Sequence, residues 1–132
     1  MKTLKIIIEK SSDYYDAYAE NCEGVYGAGI TAEEAKQNVS EGLNLFVNSR
    51  KKEDLPDILK SEYNIVFSYD IRSFLNYFGK LFSFAALERI TKINQKLLQH
   101  YASGLKKPGQ TQIKKIEKAF HELAAELSAV EL

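Results

Sequence analysis

Between residues 83 and 118 the chain carries polar and basic side chains of the kinds that bind nucleic acid. This stretch holds 8 Lys/Arg and 2 acidic residues, a local net charge of +6, and a cluster of that density can neutralise several phosphates. Gln95, Lys96 and Gln99 stand close together within it. A glutamine can make a bidentate contact to adenine, and a lysine can reach guanine or a phosphate. These residue types therefore favour contacts to duplex DNA.

Two short helices joined by a tight turn are predicted to position these side chains. Ser83 can cap the first helix, which runs from Phe84 to about Ile90, and Asn94 can cap the second. Gly104 supplies the left-handed position after the second helix. This arrangement is typical of a helix-turn-helix, whose second helix lies in the major groove.

Apolar and polar residues divide these two helices into a core side and an outer side. The core positions that a helix-turn-helix needs are occupied by Leu87, Ile93, Leu98 and Tyr101. The outer side and the following loop give the expected DNA-contacting residues, which are Ser83, Gln95, Lys96, Gln99, His100, Lys106 and Lys107. Helix spacing alone fits a plain helical bundle with a solvated basic face equally well.

The last predicted helix begins at Thr111 and carries an apolar stripe longer than a small domain needs. Its apolar residues recur at alternating steps of 3 and 4, the a/d spacing of a coiled coil, and they are Ile113, Ile116, Phe120, Leu123, Leu127 and Val130. One interpretation packs the whole stripe on the helix-turn-helix. We expect instead that Leu123, Leu127 and Val130 form a two-fold dimer seam, because such domains generally use two copies to span half-sites about 34 Å apart.

The first 69 residues predict three strands, a helix and a fourth strand. Alternating or β-branched residues indicate strands at 4–9, 14–20 and 25–30, and the short turns between them imply an antiparallel meander. A capping box, Thr31-Ala32-Glu33-Glu34, opens a helix whose apolar stripe can cover the sheet, and residues 65–69 return as a strand. The expected fold is α+β, with a β-β-β-α-β domain over 1–69 followed by an all-α domain over 70–132.

Charge is divided between the two predicted domains, although the whole chain is neutral. Residues 1–69 hold 8 Lys/Arg and 12 Asp/Glu, a net charge of −4, and residues 70–132 hold 10 and 6, a net charge of +4. This division indicates two modules with different partners. The basic domain suits nucleic acid or an anionic surface, and the acidic domain suits a basic protein.

Catalytic and cofactor chemistry is not indicated by the residues. Two-metal hydrolysis needs several carboxylates that converge on ions about 4 Å apart. Nothing in the sequence brings together the available carboxylates of the first domain, which are Glu9, Asp13, Asp16, Glu20 and Glu23. His100 and His121 are 21 residues apart, with no further ligand at zinc spacing. We therefore expect no enzyme activity, no metal and no cofactor.

Cysteine content and hydropathy bear on the compartment. Cys22 is the single cysteine, so no internal disulfide forms, and a small buried residue is its simplest interpretation. No apolar run is long enough to span a membrane, and no basic segment followed by an apolar one opens the chain. We expect a cytoplasmic protein.

Two segments of the second domain, residues 87–95 and 101–108, form an ordered motif. Their sequences are LERITKINQ and YASGLKKP. They resemble the Cro and Xre helix-turn-helix family of phage repressors, which ends its recognition helix in an aromatic residue, Ser-Gly, a basic pair and proline. Two positions depart from that family: Glu88 stands where it usually has alanine, and Lys92 where it usually has the glycine of the turn.

Two segments of the first domain, residues 18–24 and 26–35, have the sequences YAENCEG and YGAGITAEEA. They are similar to the HicB antitoxin family, whose N-terminal domain is a partial ribonuclease-H-like β-β-β-α-β fold. That family has an aromatic strand, a turn with glycine and often cysteine, and then Gly-x-Thr-x-x-Glu-Ala at the start of the helix. The prolines usual at that turn are absent here, and Ile30 replaces the acidic residue before the threonine.

The two resemblances together imply the antitoxin of a type II toxin-antitoxin system. HicB-like antitoxins bind and mask HicA-like toxins, which are small basic ribonucleases that cut mRNA, and many repress their own promoter. The implied partners are double-stranded operator DNA, a HicA-like toxin, and further copies of the chain in a homodimer or higher homo-oligomer. Charge and this resemblance point to a set of toxin-binding residues, which are Asp13, Asp16, Glu20, Glu23 and Glu33.

Two other functions stay open on the sequence. One is a free-standing transcriptional regulator whose N-terminal domain senses a ligand or a protein, and a toxin gene beside this one would distinguish an antitoxin from it. The other is a degenerate nuclease, which metal-dependent RNA cleavage by the purified chain would support.

Overall fold

Alternating apolar residues in the N-terminal part build one four-stranded sheet. The computed structural model describes residues 1–132, and its strands are β1 (Lys2–Lys10), β2 (Tyr15–Ala19), β3 (Tyr26–Gly29) and β4 (Tyr63–Tyr69). They lie in the order β3-β2-β1-β4, with β1 antiparallel to β2, β2 antiparallel to β3, and β4 parallel to β1. The chain as a whole is α+β, as predicted.

One long helix, α1 (Ala32–Asn48), covers one face of this sheet. The Thr31 hydroxyl accepts a hydrogen bond from the Glu34 amide at 3.0 Å, so the predicted cap at the start of the helix is present. The buried residues of α1 recur at helical spacing, and they are Ala32, Ala35, Val39 and Leu43. They share a core with the buried strand residues Leu4, Ile6, Ile8, Tyr15, Ala17 and Ala19. Each large aliphatic side chain buried there contributes about 1.5–3 kcal/mol.

Two short segments connect α1 to the fourth strand. A 3-10 turn (Lys52–Asp54) leads to Pro56, and α2 (Asp57–Lys60) follows. Because proline fixes φ and has no amide donor, it can stand at the start of a helix without losing a hydrogen bond. Leu55 and Leu59 are buried in the same core as α1. Their burial anchors the crossover that lets β4 pair in parallel with β1.

The helix after the last strand, α3 (Ile71–Phe78), packs against the sheet. Asp70 begins it, since its carboxylate accepts a hydrogen bond from the Ser73 amide at 2.8 Å. The Tyr77 ring lies against the Tyr69 ring of β4, with centroids 5.8 Å apart. These contacts attach α3 to the edge strand on the face that α1 also covers.

The chain divides into two units within α3. They span Met1–Tyr77 and Phe78–Leu132, whereas the sequence predicted a division after residue 69. The physical reason for the later position is the aromatic content of α3, which packs against β4 and carries most of this helix into the first unit. A helix that packs back on a sheet and a helix that opens the next domain have the same periodicity in the sequence.

Three helices with a small apolar core form the second unit. They are α4 (Phe84–Thr91), α5 (Gln95–Ser103) and α6 (Gln110–Ser128), and α4 packs against both others. The buried core consists of Leu87, Ile93, Leu98, Tyr101 and Ile116. α6 is the longest helix at 19 residues, and neither it nor any other helix is long and apolar enough to cross a membrane. Val130, expected on this helix, lies just beyond its end.

α1 approaches the sheet so closely that two strand positions have no room for a side chain. A Cβ atom on Gly27 would lie 2.4 Å from the Val39 amide nitrogen, and one on Gly29 would lie 2.6 Å from the Ala35 amide nitrogen. Both contacts are with helix backbone, which moves only if the whole helix moves. The two glycines of β3 therefore set the distance between the helix and the sheet.

Replacement of Gly27 by alanine should destabilise the first unit by about 2–3 kcal/mol, because the new methyl group forces α1 away from the strand residues that it buries. Ala28→Val is the matched control, since it adds two methyl groups one residue along the same strand on the face that α1 leaves open. Its free energy of unfolding should stay within about 0.5 kcal/mol of the wild type. Urea unfolding followed by circular dichroism measures both variants, and equal losses would contradict the close approach.

Candidate nucleic-acid interface

A residue in the left-handed conformation joins α4 to α5. Lys92 has φ 63° and ψ 20°, and its amide donates to the Glu88 carbonyl at 2.7 Å. The Thr91 hydroxyl donates to the Leu87 carbonyl at 2.7 Å and accepts from the Ile93 amide at 3.2 Å. These bonds end α4, and the chain turns within three residues into α5. The tight turn is therefore formed with a lysine in the conformation that favours glycine.

Two side chains cap the N-terminus of α5. The Asn94 carboxamide oxygen accepts from the Lys96 amide at 2.8 Å, and a Glu88 carboxylate oxygen accepts from the Gln95 amide at 2.8 Å. Because Glu88 belongs to α4, its side chain ties the two helices together and places a negative charge at the positive end of α5. This residue departs from the pattern of the Cro and Xre family, and its capping role could not be seen in the sequence.

Three of the predicted DNA-contacting residues lie on one accessible side of α5. Lys96 and Gln99 are exposed, and Gln95 is half-buried. Gln95 and Gln99 are four residues apart and so lie one above the other on the helix. A side-chain amide can donate and accept at once, which is what a bidentate contact to adenine needs.

The other predicted contact residues differ in how many accessible hydrogen-bonding groups they present to a ligand. The Ser83 hydroxyl caps α4 by accepting from the Ala86 amide at 3.1 Å, and it can still donate its proton to a phosphate. Lys106 and Lys107 are exposed in the loop after α5. His100 is half-buried, and its Nδ1 atom is buried without a hydrogen-bond partner. The imidazole ring therefore offers at most its Nε2 atom.

The apolar stripe of α6 is divided between a packed part and an exposed part. The Phe120 ring meets the Phe82 ring edge-on, with centroids 5.8 Å apart. Leu123 is half-buried, whereas Leu127 is 61% and Val130 56% exposed. The first residues of the stripe pack within the second unit, and the apolar side chains at its end are exposed to water.

The predicted toxin-binding residues are spread over different parts of the first unit. Asp13 and Glu23 lie in the turns at opposite ends of β2, and Glu33 lies in the first turn of α1. Asp16 on β2 and Glu20 just after it lie on the sheet face that α1 leaves open. No group of three or more His, Cys, Asp or Glu side chains lies close enough to hold a metal ion. The structure thus places two of the predicted acidic residues on the same face, about 13 Å apart along the strand.

Glu9 joins these two residues on the open face of the sheet. It pairs directly with Asp16 across β1 and β2. The Tyr18 phenol lies near the Glu9 carboxylate, and the Tyr26 phenol donates to Asp16 at 2.9 Å. Desolvation and the Glu9 carboxylate raise the pKa of Tyr18, and the hydrogen bond to Asp16 raises the pKa of Tyr26. Both phenols therefore keep their protons at neutral pH and act as donors.

Comparison of the chain with family models, with curated proteins and with solved structures finds no match. The function is therefore inferred from the accessible side chains of the two units, together with the resemblances carried by residues 18–35 and 87–108. Among these features, the α4–turn–α5 segment has the most specific geometry.

Replacement of Lys92 by glycine should raise the free energy of unfolding by about 0.5–1 kcal/mol. An L-residue in the left-handed region costs about 1–2 kcal/mol, and the greater freedom of glycine in the unfolded chain offsets part of the gain. Lys92→Ala is the control, because it removes the charge and keeps the Cβ atom. Thermal unfolding should give that variant wild-type stability, and an equal rise in both variants would assign the cost to charge instead of backbone conformation.

Proposed function

We propose that the protein is a DNA-binding antitoxin, which represses its own promoter through α5 and neutralises a HicA-like mRNA-cleaving toxin through its first unit. The observation that carries the DNA-binding part is the accessible side of α5, where Gln95, Lys96 and Gln99 follow a tight turn and a doubly capped helix start. The toxin-binding part is supported by the resemblance to HicB-like antitoxins and by the net charge of −4 in residues 1–69.

The α4–turn–α5 segment has the features that suit it to the major groove. A groove about 12 Å wide admits one α-helix, and the base-reading residues of such helices lie toward their N-termini. Gln95 and Lys96 are the first two residues of α5, and Gln99 is its middle residue. Lys106 and Lys107 follow in the loop, where contacts to phosphates would fix the orientation of the helix on the duplex.

A second copy of the chain is part of this proposal. Leu127 and Val130 are apolar and exposed, and Leu123 precedes them on the same stripe. Packing against the same stripe of a second copy would remove this surface from water and make a self-complementary two-fold contact. Two copies would present two recognition helices to half-sites about 34 Å apart, one turn of the double helix.

The variant Gln95→Ala/Gln99→Ala should bind the DNA upstream of the protein's own gene more weakly, because each lost bidentate contact costs about 1–3 kcal/mol. Lys106→Ala/Lys107→Ala should instead weaken binding to every sequence and lower the slope of log K against log salt by about 2. Gln37→Ala, an exposed glutamine of α1, is the control. Fluorescence anisotropy with promoter and scrambled duplexes measures all three, and wild-type promoter affinity in the glutamine variant would refute base contacts by α5.

The proposed function requires a HicA-like toxin gene beside this one, and co-expression of the chain should restore growth of cells that produce that toxin. The variant Gln95→Ala/Gln99→Ala, expressed from an inducible promoter, should restore growth equally well, because the proposal assigns toxin binding to the other unit. Colony counts with and without inducer measure both. If the wild-type chain binds its promoter and does not restore growth, the free-standing transcriptional regulator becomes the better function.

A further inference from the structure

The sheet face opposite α1 carries an aromatic and apolar row in contact with water. Pairing across the four strands places Tyr26, Tyr18, Ile7 and Ser68 side by side. Tyr26 is 57% exposed, and Tyr18 and Ile7 are half-buried. No helix of the first unit covers this row, since the buried residues of β1 and β2 alternate with it toward α1. A row of this composition is typical of the centre of a protein interface.

A pair of like charges lies along one side of this row. Glu9 and Asp16 are directly opposite each other on β1 and β2, an arrangement that destabilises a sheet. Asp16 accepts a hydrogen bond from the Tyr26 phenol, and Glu9 lies near the Tyr18 phenol. Neither forms an ion pair, because the salt bridges of the chain lie elsewhere. The Ser11 hydroxyl donates to the other oxygen of Asp16. Two neighbouring carboxylates with hydroxyl groups beside them and no cation between them can accept hydrogen bonds from positive side chains.

On the other side of the aromatic row lie one ion pair and one apolar side chain. Lys5 pairs with Glu20 at 3.4 Å, and both side chains stay about half exposed. Val66 on the edge strand is 45% exposed and pairs with Lys5 in register. With Glu9, Asp16 and Glu20 against Lys5, the whole face has a net charge of −2. It would repel the phosphates of a nucleic acid and attract a cationic protein.

We propose that this open face is the docking surface for the toxin, and that the toxin presents arginine side chains around an apolar centre. The inference deepens the proposed antitoxin function and rests on it. An arginine can stack on a tyrosine ring and bond a carboxylate with the same guanidinium, which matches the alternation of phenols and carboxylates on this face. Ile7 and Tyr18 supply the apolar centre. The assignment leaves out Asp13, Glu23 and Glu33, which lie in turns or on the helix.

The test measures how the variant Glu9→Gln/Asp16→Asn binds the purified HicA-like toxin that the proposed function requires. These substitutions keep the side-chain shape and remove both charges, so we expect the affinity to fall about tenfold or more. Thermal stability should be unchanged or higher, since the like-charge pair is gone. The control is Glu33→Gln/Glu41→Gln, which makes the same change of charge on exposed residues of α1 and should bind within about twofold of the wild type.

The outcomes distinguish failure of this surface from failure of the proposed function. Wild-type affinity in the Glu9/Asp16 variant, or a loss confined to the α1 variant, would overturn the docking surface and leave the antitoxin function standing. Absence of toxin binding by the wild-type chain would overturn both. If a fluorescein-labelled oligouridine binds the wild-type chain and does not bind the variant Tyr18→Ala, RNA is the occupant of this face. That result too would overturn the proposal.

Discussion

Each helix of the first unit can cover only one face of the four-stranded sheet, and the organisation of that unit follows from this constraint. α1 takes the face that carries Leu4, Ile6 and Ile8, at a distance set by the two glycines of β3. α3 adds to the same face, because Lys36 of α1 lies over the rings of both Phe67 and Tyr77. The residues of the other strand parity point away from α1, so the packing of the covered face determines which residues form the open face.

The second unit depends on local hydrogen bonds because its core is small. Five buried apolar side chains hold three helices together, which supplies little to fix the angle between α4 and α5. That angle is set by the turn and by the Glu88 carboxylate that bonds the first amide of α5. To select bases as proposed, α5 would have to hold its side chains in place to within a fraction of an ångström. The capping interactions thus link the stability of the turn to the orientation of Gln95.

Features set by neighbouring residues could be predicted from the sequence, and features set by distant ones could not. The caps at Thr31, Ser83 and Asn94 are present as expected, because a cap needs a polar side chain and an amide two or three residues on. The composition of the open face could not be predicted, because it depends on the strand register, which places Ile7 beside Ser68 from the far end of the first unit. The division within α3 could be located only from the packing of α3 against the sheet. The burial of the His100 Nδ1 atom could be recognised only from the position of α5 against its core.

Two places where the chain departs from locally favourable chemistry lie on or beside the proposed binding surfaces. Lys92 takes a backbone conformation that glycine would adopt at lower cost, and it adds a positive charge beside the start of α5. Glu9 and Asp16 repel each other, where a lysine at either position would make a favourable pair. In the proposed complexes a ligand of opposite charge would offset each cost, since a phosphate would attract the lysine and a guanidinium would bridge the carboxylates. The proposed functions thus give a reason for local chemistry that costs stability in the free chain.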